Sequence, residues 1–138
     1  MKFKDLNTLY HCTFRLQYHL VLVTKYRRPC INATMLDRLE EIARATTEKW
    51  GGSIIEFSSE ADHVHMLLDL TPRIAPSTFV NNLKTVTSRL IRKEFADHLA
   101  HYYWGKPAFW SRSYALLSVG GAPLEVLKQY IEQQDAPD

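Results

Sequence analysis

From Thr13 to Lys25 the chain alternates: Phe14, Leu16, Tyr18, Leu20 and Leu22 take one set of positions, and Arg15, Gln17, His19, Val21 and Val23 the other. A period of two belongs to a strand, whose successive side chains point to opposite faces. Proline at position 29, after Lys25-Tyr26-Arg27-Arg28, stops the pairing. The period then changes. Met35/Leu36, Leu39, Ile42/Ala43, Thr46 and Trp50 recur at helical spacing, with Asn32 or Thr34 as the cap and Gly51-Gly52 as the stop. Ser53 to Ser59 predicts a short strand with Ile55 and Phe57 on one face. After a turn at Glu60-Ala61-Asp62, the run to Leu70 alternates again. Val64, Met66, Leu68 and Leu70 fall on a face fit for a core; His63, His65, Leu67 and Asp69 fall on the other. Ser77 to Phe95 predicts a second amphipathic helix, with Val80, Leu83, Val86/Thr87, Leu90 and Ile91 as its apolar stripe. His98 to Trp110 is aromatic-rich and irregular, and Arg112 to Val119 predicts a fourth strand. Gly120-Gly121 is a break, and Pro123 opens a last helix running to about Gln134.

The predicted order is strand, helix, strand, strand, helix, strand, helix. Its first six elements match the split pattern of a ferredoxin-like (RRM-like) α+β fold: an antiparallel sheet with two helices on one face. The seventh is an added C-terminal helix that can reach the open face, where the histidines point. No internal repeat, low-complexity segment or linker divides the chain, so a single domain over residues 1–138 is expected.

At 138 residues with 46% apolar and 12% aromatic content, the chain can bury a real core. No apolar run approaches the roughly 20 residues needed to cross a bilayer. Met1 to Asp5 lacks a signal peptide's apolar stretch. Cys12 and Cys30 make neither a disulfide framework nor a zinc knuckle. Cytoplasmic residence without membrane contact is the expectation. The net charge of +2 is unevenly spread, because residues 1–30 carry six Lys/Arg against one Asp. A basic N-terminal quarter suits a phosphate-binding surface, although solvated basic side chains are the usual reason for such clusters.

The candidate chemistry starts at His63 and His65. Two residues along a strand is a rise of roughly 6.6–6.8 Å, short enough for both imidazoles to lean onto one ion. Two histidines beside a carboxylate make a plausible metal site; the alternative is a polar face whose histidines bond to neighbours or water. Most metal sites need a third protein ligand. In the last helix Tyr130 and Gln134 stand four residues apart, on one side. The chain has seven tyrosines, and periodicity does not select one.

Four segments occur in order: Lys25-Tyr26-Arg27-Arg28-Pro29, Asp62-His63-Val64-His65, Phe109-Trp110-Ser111-Arg112-Ser113-Tyr114 and Val126 to Gln134, which includes Tyr130. Together they resemble the single-tyrosine transposases of the HUH superfamily, more narrowly the TnpA type of bacterial insertion sequences that move as single-stranded DNA. The resemblance covers nearly the whole chain, from about Tyr18 to Gln134. It implies His63, His65 and Gln134 as ligands of a divalent ion, Mg2+ or Mn2+, and Tyr130 as the nucleophile. It also implies a homodimer in which the tyrosine helix can complete the partner's site, and a substrate of hairpin-bearing single-stranded DNA.

On that reading Tyr130 attacks a phosphodiester, giving a 5′-phosphotyrosine bond and a free 3′-OH. The covalent intermediate keeps the energy of the broken bond for rejoining. An ordinary tyrosine has a pKa of about 10, so a metal has to assist the attack. Asp62 and Asp69 are candidates for orienting an imidazole. Lys25, Arg27, Arg28, Lys84, Arg89, Arg92 and Arg112 are candidates for tracking DNA phosphates, with Tyr102, Tyr103 and Trp104 as stacking groups. The alternatives are a domesticated relative acting on chromosomal repeats, carrying the same residues, and a non-catalytic ferredoxin-like nucleic-acid-binding module.

Overall fold

The computed structural model describes residues 6–120 and 124–134, with the side chains of the second segment from Lys128 onward. In chain order its elements are β1 (Asn7–Leu9), β2 (Cys12–Phe14), β3 (Leu16–Thr24), α1 (Ala33–Lys49), β4 (Ser53–Glu60), β5 (His63–Leu70), α2 (Pro76–Glu94), α3 (Ala96–Tyr103), β6 (Trp110–Ser118) and α4 (Leu124–Gln133). A 3-10 turn, Lys25–Arg27, follows β3.

Strands β4, β5, β3 and β6 form one antiparallel sheet in that order. With β3-α1-β4-β5-α2-β6 as the chain order, this is the ferredoxin-like arrangement. The alternation in the sequence decides which face is which. Leu20, Leu22, Val64, Met66, Leu68 and Leu70 are all buried, under α1 (Met35, Leu39, Ile42) and α2 (Phe79, Leu83, Ile91). The residues between them make the other face. The β3–β5 register sets Val23 opposite His63, Val21 opposite His65 and His19 opposite Leu67.

Helix α1 starts where its cap predicts: the Asn32 side chain accepts a 2.9 Å hydrogen bond from the Met35 amide. It stops at Gly51, whose φ of +87° suits glycine. At Gly52 a Cβ would lie 2.9 Å from the Asp69 carbonyl oxygen, so only glycine fits between the helix and β5.

Three expectations need correction. The first predicted strand divides: β2 pairs with β1 in a separate hairpin, and β3 begins at Leu16. In β4 a bulge between Ile54 and Glu56 slips the register, so Ile54 is buried while Ile55 is 44% exposed. Ile54, not Ile55, therefore joins Phe57 in facing the core. The stretch from His98 is helical as far as Tyr103, since α3 follows α2 with Phe95 alone between them, and is irregular only from Trp104 to Phe109. Pro123 and Gly121 lie outside the described residues. Among those described, no helix is long and apolar enough to cross a membrane.

Helix α4 lies on the open face. Tyr130 and Ile131 pack against Val21, Val23 and Ala115, a small second core on the side opposite α1 and α2.

Candidate active site on the open face of the sheet

His63 and His65 project from β5 onto this face, both half-buried. His63 Nδ1–H donates to Asp62 Oδ1 over 2.8 Å, which leaves Nε2 free. Asp62 is held from its other side by Arg27, whose Nε lies 2.8 Å from Oδ2. Burial alone would raise the Asp62 pKa, but the hydrogen bonds from His63 and Arg27 outweigh it and hold the carboxyl below its ordinary value. Asp62 is therefore a carboxylate that orients an imidazole. Asp69 is not so placed: it accepts from Asn7 Nδ2 at 3.0 and 3.2 Å, tying the β1–β2 hairpin to β5.

The Arg27–Asp62 contact depends on an uncommon backbone. Tyr26 and Arg27 both have positive φ, 57° and 55°, at a cost of about 1–2 kcal/mol per residue. The turn is fastened by Thr24 Oγ1 donating to the Arg28 carbonyl (2.7 Å) and Tyr103 Oη donating to the Lys25 carbonyl (2.9 Å).

His65 takes a different partner. Its Nε2 lies 2.9 Å from Nδ1 of His19 on the neighbouring strand. Burial, then the proximity of His19, push the His65 pKa below the ordinary histidine value, so His65 is neutral at neutral pH. A neutral imidazole is the form that ligates metals.

On α4, Tyr130 Oη donates to Ser113 Oγ (3.2 Å), and Ser113 Oγ donates to Gln134 Oε1 (3.0 Å). Ser113 of β6 thus joins the two groups that helical spacing had set on one side of α4. Two imidazoles and an amide oxygen form a donor set suited to a divalent ion, and the anchoring of His63 through its other nitrogen is the usual arrangement of a metal-bound histidine. Among the described residues no three His, Cys, Asp or Glu side chains gather within reach of one ion. A third protein ligand would have to be of another type; Gln134 is the expected one, and its oxygen is engaged by Ser113 in this structure.

Of the seven basic candidates, Lys25, Lys84, Arg89, Arg92 and Arg112 line one open groove between α2 and the segment leading into β6. Lys84 Nζ donates to the Arg112 carbonyl, and burial lowers its pKa. Arg27 is instead spent on Asp62. Arg28 stands 5.4 Å from the Trp104 ring centre, outside that groove. Trp104 is 70% exposed and free to stack, whereas Tyr103 is buried beneath the Lys25 turn and presents no surface.

The family model described as "Transposase IS200 like" matches residues 12–134. The chain is 30% identical over 130 residues to the transposase for insertion sequence element IS200 of Salmonella typhimurium, covering 94% of this chain and 84% of that one. It belongs to the IS200-like transposase family. It is also 32% identical over 121 residues to the ISDra2 transposase TnpA of Deinococcus radiodurans, covering 88% of this chain and 85% of that one. A crystal structure of a Deinococcus radiodurans protein assigned as a transposase superposes with a TM-score of 0.85 at 32% identity, over 94% of this chain and 98% of the other. A REP-associated tyrosine transposase bound to a REP hairpin matches with a TM-score of 0.53 at 10% identity, over 91% and 68% of the two chains, and shows the fold alone.

An IS200-like transposase acts by cutting and joining DNA strands. Two residues of the open face escaped the sequence reading. His19 sat in the alternating run as one polar position among several, and only the pairing of β3 with β5 brings it to His65. Ser113 is an ordinary strand serine until β6 and α4 meet.

Proposed function

We propose that this IS200-like transposase cleaves and rejoins single-stranded DNA at insertion-sequence ends through a 5′-phosphotyrosine intermediate on Tyr130. The observation that carries the reading is the helix bearing Tyr130 and Gln134 lying over the sheet face that bears His63 and His65. Tyr130 Oη attacks the phosphorus of a scissile phosphodiester. The bond from phosphorus to the 3′ oxygen breaks, and that oxygen leaves as a 3′-OH. In the reverse direction an incoming 3′-OH displaces Tyr130, so no external energy source is needed for rejoining.

His63, His65 and Gln134 would hold a divalent ion, Mg2+ or Mn2+. Such an ion supplies charge stabilisation on the phosphate oxygens and alignment of the attacking and leaving oxygens. Asp62, fixed by Arg27, keeps His63 directed onto the open face. Ser113 stands within hydrogen-bond reach of the tyrosine hydroxyl. The groove of Lys25, Lys84, Arg89, Arg92 and Arg112 follows the DNA backbone, and Trp104 offers a stacking surface for an unpaired base. The substrate carries subterminal hairpins. The working unit is a homodimer in which α4 can serve either its own or the partner's histidines. A domesticated enzyme acting on chromosomal repeats would use the same residues and differ only in substrate.

The test is an end-labelled single-stranded DNA assay with the hairpin-bearing ends that flank the gene. A covalent protein–DNA band is expected with Mg2+ or Mn2+ and single strands, absent for duplex DNA, for Tyr130→Phe and for His63→Ala. An adduct surviving in Tyr130→Phe would move the nucleophile elsewhere; binding without adduct by the unmodified protein would favour a non-catalytic module. In the same assay, activity recovered on mixing Tyr130→Phe with His63→Ala subunits would indicate sites shared across the dimer.

A further inference from the structure

We propose that His19 is a positioning residue of the histidine site: through Nδ1 it holds His65 and sets the nitrogen that this imidazole offers to a divalent ion. The inference rests on the proposed role of His65 as a metal ligand and adds a residue to that site.

The geometry excludes an ion bridging His19 Nδ1 and His65 Nε2. The nitrogens are 2.9 Å apart, the ring centres 5.1 Å, and the planes 19° from parallel. That centre separation is close to the nitrogen separation plus two ring radii, so the nitrogens face each other nearly head-on. This is an in-line N–H···N hydrogen bond. An ion bonds imidazole nitrogen at about 2.0–2.1 Å, and no ion fits on the line between these two atoms.

The proton arrangement follows. Two neutral imidazoles share one hydrogen in such a bond, so one ring donates and the other accepts. If His19 donates, His65 uses its Nε2 lone pair on the bond and carries its own proton on Nδ1, which leaves nothing for a metal. If His65 donates Nε2–H, its Nδ1 lone pair is open. While so bonded, His65 can serve an ion in that arrangement alone, with His19 as the acceptor. His19 would then do for His65 what Asp62 does for His63, where the Nδ1–H bond to carboxylate leaves Nε2 open. Metal-bound histidines are commonly fixed through their second nitrogen in this way.

The sheet explains why this partner is His19. Residues 17, 19, 21 and 23 of β3 share the open face, and Val21 and Val23 lie directly opposite His65 and His63. Neither valine can bond an imidazole. His19 lies one step further along, opposite Leu67, within diagonal reach of His65. It belongs to neither core cluster, so its substitution is not expected to unfold the protein.

The experiment is calorimetric titration of Mn2+ into the purified full chain without DNA, comparing His19→Ala, His19→Phe and His19→Asn, with His65→Ala as reference. Loss of such a second partner typically weakens metal binding about 10–100-fold, which is the result expected for Ala and Phe. Asn keeps a hydrogen-bonding atom near the position of Nδ1 and is expected to recover most of the affinity. Unchanged or tighter binding in His19→Ala, while His65→Ala loses binding, overturns the proposal and leaves the metal site standing. Asn no better than Ala and Phe also overturns it, because a ring that merely fills space, or one that ligates directly, gives that pattern. Binding unaffected by His65→Ala removes the metal-site reading itself, and this inference with it. Should His19→Ala fail to fold, Asn against Gln supplies the same contrast, since the Gln amide reaches toward the Nε2 position instead.

Discussion

The two faces of the sheet are built from the same strands and do different work. On one, Leu20, Leu22, Val64, Met66, Leu68 and Leu70 are closed over by α1 and α2 with little of their surface left to water. On the other, the intervening residues are His19, His63 and His65 with Ser113 nearby, and the cover is a single helix resting on Val21, Val23 and Ala115. The apolar face is almost wholly hydrocarbon, and its buried hydroxyl, Thr24, is spent on the Arg28 carbonyl. The open face keeps its imidazoles half-buried, dry enough for His65 to be pushed toward neutrality and open enough for a substrate to approach. A strand's period of two lets the chain hold stability and reactivity one residue apart.

Substitutions on opposite faces of adjoining strands test that division most strongly. Leu22→Ala removes a fully buried side chain and is expected to cost about 2–5 kcal/mol of folding free energy, measured by urea unfolding without added metal. His65→Ala, on the open face, is expected to cost less than about 1.5 kcal/mol, the worth of one hydrogen bond, while removing Mn2+ binding. A His65→Ala loss as large as that of Leu22→Ala would make the open face a second structural core.

The division was legible in the sequence where the period stayed clean. Positions 63–70 alternate without interruption, and the structure buries every second one. Position 55 broke the pattern because a bulge adds a residue to β4, and a bulge leaves no mark that alternation can reveal. Helix α3 was missed for another reason: its start has no side-chain cap, and Phe95 at the junction has φ −124°, so nothing polar announces it. The β1–β2 hairpin turns at Tyr10 with φ 51°, a position where glycine or asparagine would have been the signal. The site divides likewise. His63, His65 and Tyr130 were picked out by local spacing and resemblance, because each lies in a motif a few residues long. His19 makes its contact across strands and Ser113 from strand to helix, at separations of 46 residues from His65 and 17 from Tyr130, and no local pattern carries such a contact.

Asp62 sharpens the comparison at the boundary between the faces, since it touches the site without lying on the sheet. Asp62→Ala frees His63 Nδ1 and leaves Arg27 in its left-handed conformation without a partner. Mn2+ affinity is expected to fall about 10–100-fold, the usual effect of removing such an anchor. Asp62→Asn retains an acceptor for His63 and should fall less. If both variants bind Mn2+ as the unmodified protein does, the orientation of His63 is fixed by strand packing alone.

Ser113→Ala has the smallest expected effect and asks what the contact between β6 and α4 does. Its two hydrogen bonds, 3.0 and 3.2 Å, are exposed, so their loss should change stability by less than about 1 kcal/mol. The consequence for binding has a definite sign. Ser113 engages Gln134 Oε1, the atom proposed to meet the ion, and any ion that takes this oxygen must first displace the serine. Removing the serine takes away that competitor, and 1 kcal/mol corresponds to about fivefold in affinity, so Mn2+ binding is expected to tighten by up to about fivefold. Weaker Mn2+ binding in Ser113→Ala would give the opposite lesson: the serine would then be setting Gln134 and Tyr130 in their working positions, and the open face would already be arranged for chemistry before metal and DNA arrive.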